Sequence, residues 1–170
     1  MHRLILMRHA KAERAAISGR DEDRPLSPRG RNDAGLVARA LAGRGVRPDV
    51  ALVSAAVRTR ETWDVVQDAF GDVDVRVNPR LYDAPSDVLR AEAEGMEDQA
   101  GCLMLVAHNP GVHQLAVELL IEGAASPSAI ERFSAGFPTG AAAVFAIDAA
   151  GRASLELFLK PGDVGGGAEG

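Results

Sequence analysis

The stretch CLMLVAHNPG, residues 102–111, decides the fold of this chain. Its first six residues are apolar and form the most continuous strand-like run in the sequence, as expected for a strand that helices cover on both faces. The run stops at His108, and the Asn-Pro-Gly that follows is typical of a turn. We therefore predict a central strand whose end carries a polar group.

Short strand-like runs alternate with helix-length segments through the rest of the chain. Strands are predicted at about 3–7, 49–54, 73–77, 141–148 and 153–159, and helices begin near 28, 58, 86 and 109. Ser27 followed by Pro28 is the N-cap and first position of the first helix. The alternation predicts an α/β fold, a three-layer α/β/α sandwich whose mostly parallel central sheet ends in a C-terminal antiparallel hairpin.

Length and composition fit one globular domain. The chain has 170 residues, of which 46% are hydrophobic, so residues 1–162 are long enough to bury a core. The Gly-rich segment 163–170 is predicted to be a flexible tail.

Charge and cysteine content exclude several classes of protein. The formal net charge of −5 argues against nucleic-acid binding by bulk positive charge. The apolar runs are too short for a signal peptide or a membrane span, so we expect a soluble protein without a membrane partner. Cys102 is the one cysteine, which excludes an internal disulfide and predicts a cytoplasmic location.

Three predicted strands end in the same kind of residue. RHAK follows the first, SAAVRTR the second, and AHNPG the central strand. Ligands of open α/β sheets bind beyond the carboxyl ends of the strands, so Arg8, His9, Arg58 and His108 are expected to converge. A single arginine there is explained by solvation or ion pairing, but the shared position favours a site for an anion. Guanidiniums suit phosphate oxygens, and an imidazole supplies a nucleophile or a base.

The same motifs carry a resemblance to a known family. LMRHAKA (6–12), SAAVRTRET (54–62) and VAHNPG (106–111) resemble the histidine phosphatase superfamily, the phosphoglycerate mutase-like group. The resemblance extends over about residues 1–160 and is closest to the small SixA-type phosphohistidine phosphatases. RPLSPRG (24–30) and FPTGAAAV (137–144) are also similar to that subgroup. Ala10 departs from the Arg-His-Gly motif of the family.

The resemblance implies a phosphoglycerate mutase-like fold and a phosphatase that needs no cofactor or metal. It makes His9 the nucleophile and Arg8, Arg58 and His108 the residues that bind the phosphoryl oxygens. His9 must then be neutral at the attacking nitrogen. We expect its other ring nitrogen to donate to a backbone carbonyl and the neighbouring guanidiniums to keep the ring unprotonated.

The leaving group needs a proton when it is an alkoxide, and larger members of the family use a carboxylic acid there. Asp83, in RLYDAPSD, lies in the corresponding loop, with Asp87 and Glu61 as alternatives. A turn residue before Pro85 explains Asp83 equally well. Lys11 could add positive potential at the substrate-binding site, although a solvated lysine also explains it.

Other chemistries fit the sequence poorly. Cysteine phosphatases need an arginine six residues after the cysteine, but His108 holds that position after Cys102. DVDV at 72–75 begins a predicted strand instead of following one. GRGVRP at 43–48 lacks the third glycine, the lysine and the preceding strand of a nucleotide loop. His108 and His113 have the wrong spacing for a zinc helix.

Three functions stay open at this point. The first is dephosphorylation of phosphohistidine on a partner protein through a phosphohistidine intermediate. The second is hydrolysis of small phosphorylated metabolites, and the third is non-catalytic binding of phosphate or a phosphoprotein. The sequence contains no insertion long enough to form a lid, which predicts a shallow site open to another protein and favours the first function.

Overall fold

The computed structural model describes residues 1–167 and contains a six-stranded mixed sheet. Its strands are β1 (Arg3–Arg8), β2 (Val50–Ser54), β3 (Asp74–Asn78), β4 (Cys102–Ala107), β5 (Ala142–Ile147) and β6 (Ala153–Leu159). They lie in the order β3-β2-β4-β1-β5-β6. The first four are parallel, and β5 pairs antiparallel with both β1 and β6. The predicted central position of residues 102–107 and the C-terminal hairpin are confirmed.

Five helices cover the two faces of the sheet: α1 (Pro28–Gly43), α2 (Val57–Val66), α3 (Ser86–Glu94), α4 (Gly111–Glu122) and α5 (Pro127–Glu131). Side chains alternate between the faces along each strand. Leu4 and Leu6 of β1 therefore join the core beneath α3 and α4, whereas Ile5 and Met7 join the core beneath α1 and α2. The predicted α/β/α sandwich is thus confirmed. Within residues 1–167, these helices are too short or too polar to cross a membrane.

The start of α1 ties the long connection after β1 to the sheet. The Ser27 hydroxyl accepts a hydrogen bond from the Gly30 N–H at 3.0 Å, as the predicted N-cap requires. The Ser27 N–H and hydroxyl donate to the Lys11 carbonyl at 2.9 and 3.0 Å. Gly30 packs directly on that carbonyl and leaves no space for a side chain. The backbone that follows His9 is therefore fixed from two sides.

The sequence did not predict α5 or the aromatic cluster beside it. Phe133 stacks on Phe158 with ring centroids 4.0 Å apart, and Phe137 contacts both rings. All three rings are buried. This cluster anchors the loop that leads into β5, and the carbonyl of Phe137 belongs to the site described below.

The described part of the predicted C-terminal tail contacts α1. The Gly167 N–H donates to the buried Asp33 carboxylate at 2.8 Å, and the Arg29 guanidinium donates to the Gly167 carbonyl at 2.8 Å. A buried carboxylate needs hydrogen-bond donors, and this segment supplies one. Residues 163–167 are thus held against α1, while residues 168–170 of the predicted tail lie outside the described residues.

Candidate active site

The carboxyl ends of β1, β2 and β4 meet at one edge of the sheet. Arg8 pairs with Ala107 in the parallel register, so His9 and His108 leave neighbouring strands side by side. Their ring centroids lie 5.4 Å apart. Arg58, in the first turn of α2, reaches the same place from the end of β2. The four residues predicted to converge are brought together, and His9, Arg58 and His108 are all buried.

His9 is held in one orientation by its neighbours. Its Nδ1 lies 2.8 Å from the Ala10 carbonyl oxygen, which is the predicted backbone contact. Because a carbonyl only accepts, Nδ1 carries the proton and Nε2 keeps its lone pair. The Ala10 N–H donates to the Thr62 hydroxyl at 3.0 Å, and the Ala10 methyl is buried in the core. Alanine in place of the family's glycine therefore fits this backbone.

The environment of His9 disfavours its protonation. Burial lowers the pKa of His9 to about 4, and the positive charges of Arg58 and Arg8 add to that effect. The pKa of His108 is lowered to about 3, first by burial and then by His9 and Arg58. Both imidazoles are consequently neutral at pH 7, and His9 is available as a nucleophile.

His108 is oriented by a hydroxyl from the neighbouring strand. Its Nε2 lies 2.7 Å from the Ser54 Oγ at the end of β2. The hydroxyl can donate to Nε2, which leaves the proton of the neutral ring on Nδ1. That tautomer puts an N–H on His108 Nδ1, which lies 3.9 Å from the Asp83 Oδ1.

The loop before β5 fixes Arg8. Its Nη1 donates to the Phe137 carbonyl at 3.0 Å, and the Asn109 amide donates to the same carbonyl at 2.9 Å. The Gly140 N–H bonds back to the His9 carbonyl at 2.9 Å. Burial and the nearby Arg58 lower the pKa of Arg8 from its ordinary value. The positive charges of Arg8 and Arg58 thus act on each other, which is an electrostatic environment that favours an anion.

Arg58 is almost fully buried and is fixed by the connection between β1 and α1. Its Nη1 donates to the Asp21 carbonyl at 2.9 Å, and its Nη2 donates to the Asp21 carboxylate at 3.0 Å. Asp21 lies in a 3₁₀ turn at Asp21–Asp23. Arg58 is therefore paired through its two terminal nitrogens, and its orientation is set.

Three buried nitrogens of these side chains lack a hydrogen-bond partner among residues 1–167. They are the Nε of Arg8, the Nε of Arg58 and the Nδ1 of His108. A buried polar atom without a partner costs about 1–3 kcal/mol, so such atoms are rare and mark places where a ligand binds. Two cationic donors and one imidazole donor next to a neutral histidine suit a phosphoryl group.

The comparisons with known proteins agree with this geometry. The profile of the histidine phosphatase superfamily (branch 1) matches residues 4–122. This chain belongs to the histidine phosphatase superfamily. An uncharacterised protein from Mycobacterium tuberculosis is 34% identical over 142 residues, which are 83% of this chain and 87% of that protein.

Solved structures that resemble this histidine phosphatase agree with its family assignment. A crystal structure from Agrobacterium tumefaciens, assigned as phosphohistidine phosphatase SixA, has a TM-score of 0.83 and 32% identity, covering 94% of this chain and 98% of that one. The protein histidine phosphatase SixA complexed with tungstate has a TM-score of 0.78 and 25% identity, covering 95% and 98%. The predicted phosphoglycerate mutase-like fold is confirmed, and the protein is a phosphatase.

Asp83 stands at the open edge of the site. Its Oδ1 lies 3.8 Å from Nη2 of Arg58 and 3.9 Å from Nδ1 of His108, and 58% of its side chain is exposed. Its φ of 47° is in the left-handed region, which is unusual for aspartate. Gly111 packs directly on the Ala84 carbonyl and leaves no space for a side chain, so the start of α4 supports this loop.

The other predicted candidates are exposed or make contacts elsewhere. Lys11 is exposed, and its carbonyl serves the start of α1. Glu61 accepts from the Leu26 N–H at 2.8 Å and pairs with Arg31 at 2.9 Å. Asp87 is exposed in the first turn of α3. These contacts give Lys11 and Glu61 structural roles.

Several residues of the site were missed by the sequence analysis. They orient the predicted side chains through contacts from other segments, and they are Asp21, Ser54, Thr62, Tyr82 and the carbonyl of Phe137. Two of them carried a signal in their position. Ser54 ends the second strand within SAAVRTR, and Phe137 begins FPTGAAAV.

Proposed function

We propose that this phosphatase removes the phosphoryl group from phosphohistidine on a partner protein, through a covalent intermediate on His9. The observation that carries the proposal is the environment of His9. Its Nδ1 lies against the Ala10 carbonyl, its pKa is lowered to about 4, and the neighbouring side chains of Arg8, Arg58 and His108 each contain a buried nitrogen without a partner among residues 1–167.

In the first step, His9 Nε2 attacks phosphorus. A bond forms between Nε2 and phosphorus while the bond between phosphorus and the substrate nitrogen breaks, and its electron pair goes to the substrate imidazole. That imidazole leaves as a neutral ring when its other nitrogen already carries a proton. Covalent catalysis of this kind divides one difficult displacement into two easier ones.

Side chains of the protein stabilise the negative charge of the transferred phosphoryl group. Phosphoryl transfer depends mainly on positioning and on stabilising charge on the equatorial oxygens. We propose that Arg8, Arg58 and His108, whose Nε and Nδ1 atoms have no partner among residues 1–167, donate to these oxygens. We propose that the reaction proceeds with this set of donors and without a bound metal.

In the second step, water attacks phosphorus and the bond between phosphorus and His9 Nε2 breaks. Inorganic phosphate is released and His9 recovers its lone pair. We propose that Asp83 accepts the proton of the attacking water; its Oδ1 lies 3.9 Å from His108 Nδ1, and 58% of its side chain is exposed. With an ester substrate, the same carboxyl in its protonated form would donate to the leaving alkoxide.

The shape of the site supports a protein substrate. Residues 55–56 connect β2 to α2 and residues 108–110 connect β4 to α4, so two sides of the site have short connections. Residues 9–27 form the longer connection on the third side. The identity of 32% to a protein assigned as a phosphohistidine phosphatase supports the same substrate class. The cytoplasmic location stays a prediction.

The test compares substrates on one enzyme preparation. Wild type and His9→Asn are assayed with a phosphohistidine-containing protein, an aryl phosphate and a sugar phosphate. Radiolabelled phosphohistidine protein is used to trap the intermediate, which is analysed under alkaline conditions where phosphohistidine persists. We expect the highest kcat/KM with the phosphohistidine protein, label on His9, and no turnover by His9→Asn.

Each alternative has its own result in this assay. A preference for sugar or aryl phosphate would make the protein a small-ester phosphatase. Phosphate binding without turnover of any substrate would make it a binding module. Turnover retained by His9→Asn would refute the covalent mechanism.

A further inference from the structure

We propose that Asp21 is a positioning residue, which acts through Arg58 and Tyr82 to shape the phosphate pocket. The inference deepens the function proposed above and rests on the role of Arg58 in it. Asp21 lies in the connection between β1 and α1, and no feature of periodicity or motif in the sequence singled it out.

The Asp21 carboxylate gathers donors from three segments of the chain. One oxygen accepts from Arg58 Nη2 at 3.0 Å and from the Tyr82 hydroxyl at 2.6 Å. The other oxygen accepts from Arg24 Nε at 3.0 Å. Charge-assisted hydrogen bonds of this length are the stronger ones in proteins. One exposed side chain thereby joins the connection after β1 to the loop that carries Asp83.

The pattern of bonds on Arg58 indicates that Asp21 orients this arginine and does not compete with the substrate. Asp21 uses Nη1 through its carbonyl and Nη2 through its carboxylate. Nε of Arg58 stays unpartnered among residues 1–167, as does Nε of Arg8. Asp21 therefore uses the two terminal nitrogens of Arg58 and leaves its Nε–H without an acceptor. A guanidinium is planar, so fixing its terminal nitrogens also fixes the direction of Nε–H.

Tyr82 extends the effect of Asp21 to His108. The Tyr82 ring meets the His108 ring edge-on, with centroids 5.5 Å apart and an angle of 89°. The Arg58 guanidinium carbon lies 5.8 Å from the centre of the same ring. Holding the Tyr82 hydroxyl therefore keeps one wall of the pocket against two of the phosphate-binding side chains.

The protonation of the pair is consistent with this contact. The pKa of Asp21 is lowered to about 2, first by the hydrogen bond from Tyr82; burial opposes this shift, and the charge and hydrogen bond of Arg58 add to it. The pKa of Tyr82 is raised, first by the same bond. Asp21 is therefore a carboxylate and Tyr82 a neutral donor across the pH range of an assay.

The experiment is a double-mutant cycle read out by turnover and by binding. Asp21→Ala, Arg58→Ala and the double variant are compared with wild type for kcat/KM on an aryl phosphate and for equilibrium binding of inorganic phosphate. Asp23→Ala is the matched control, because Asp23 lies in the same turn and accepts from Ser18 at 2.7 Å. Asp21→Asn and Tyr82→Phe repeat the test with smaller changes, and thermal unfolding confirms that each variant is folded.

We expect Asp21→Ala to lower kcat/KM by about 10- to 100-fold, as for the loss of a charge-assisted bond. In the Arg58→Ala background, the same substitution should change kcat/KM by less than about 2-fold, because most of its effect passes through Arg58 and only the remainder through Tyr82. Asp23→Ala should match wild type, and Asp21→Asn and Tyr82→Phe should each show part of the loss.

Two results would overturn the proposal. A loss of equal size with and without Arg58 would assign Asp21 a purely structural role. Tighter phosphate binding by Asp21→Ala would show that the carboxylate competes for Arg58. Failure of the proposed function gives a different result. Wild type would then not hydrolyse phosphohistidine, whereas the binding of inorganic phosphate would still measure the effect of Asp21.

Discussion

The neutral state of His9 predicts a specific loss of stability in acid. Because its pKa of about 4 in the folded chain lies below the ordinary value of 6.5, the unfolded chain binds a proton between these values and the folded chain does not. Lowering the pH through this window therefore favours unfolding. At pH 5, which is 1.5 units below the ordinary pKa, the contribution at about 1.36 kcal/mol per unit is about 2 kcal/mol.

The substitution His9→Asn removes this contribution. The Asn amide can still donate to the Ala10 carbonyl, but it does not titrate. Between pH 7 and pH 5 we expect the free energy of unfolding of wild type to fall by about 2 kcal/mol more than that of His9→Asn. The measurement is urea unfolding followed by circular dichroism, at both pH values and equal ionic strength.

The size of this difference depends little on how far the pKa is lowered, provided that the folded ring is neutral at pH 5. The same reasoning applies to His108, whose pKa is about 3. Equal losses in wild type and His9→Asn would show that His9 already binds a proton in the folded chain at pH 5. In that case His9 would not be a neutral nucleophile at that pH.

Three further outcomes are expected. Arg58→Ala should raise the barrier to turnover by about 2–4 kcal/mol in steady-state kinetics. Arg60→Ala, on the exposed side of the same helix, should leave kcat/KM unchanged. Equal effects of the two substitutions would show that Arg58 does not bind the phosphoryl group. Gly111→Ala should displace the loop at Ala84 and lower both thermal stability and activity. Gly43→Ala should be tolerated, because Gly43 has open space around it. A fully stable and active Gly111→Ala would show that the loop adapts. Dialysis against EDTA should leave the rate of aryl phosphate hydrolysis unchanged, and activity that metal addition restores would contradict a site built from guanidiniums alone.

Much of the site could be predicted because its main residues follow buried strands. The apolar run at 102–107 fixes the central strand, and parallel strands bring Arg8, His9 and His108 to one edge of the sheet. Arg58 follows from its position in the first turn after β2. Periodicity and strand ends are local signals, so they can be read directly from the sequence.

The supporting contacts could not be read in the same way. Asp21 lies in an aperiodic connection, and its partner Tyr82 is 61 positions away. The acceptor for Arg8 is the backbone carbonyl of Phe137, which every residue type would provide. The short α5 and the ordered segment at 163–167 depend on tertiary contacts, such as the bond from Gly167 to Asp33. Such features require the fold before they can be identified.

The three buried nitrogens without partners also bear on how the reaction ends. Donors that favour a transferred group hold inorganic phosphate just as closely once hydrolysis is complete, and its departure leaves them unsatisfied until water enters. Strong binding by these donors would then slow release of the product. A rise in the surrounding phosphate concentration would slow the enzyme, which links its rate to the phosphate supply of its compartment.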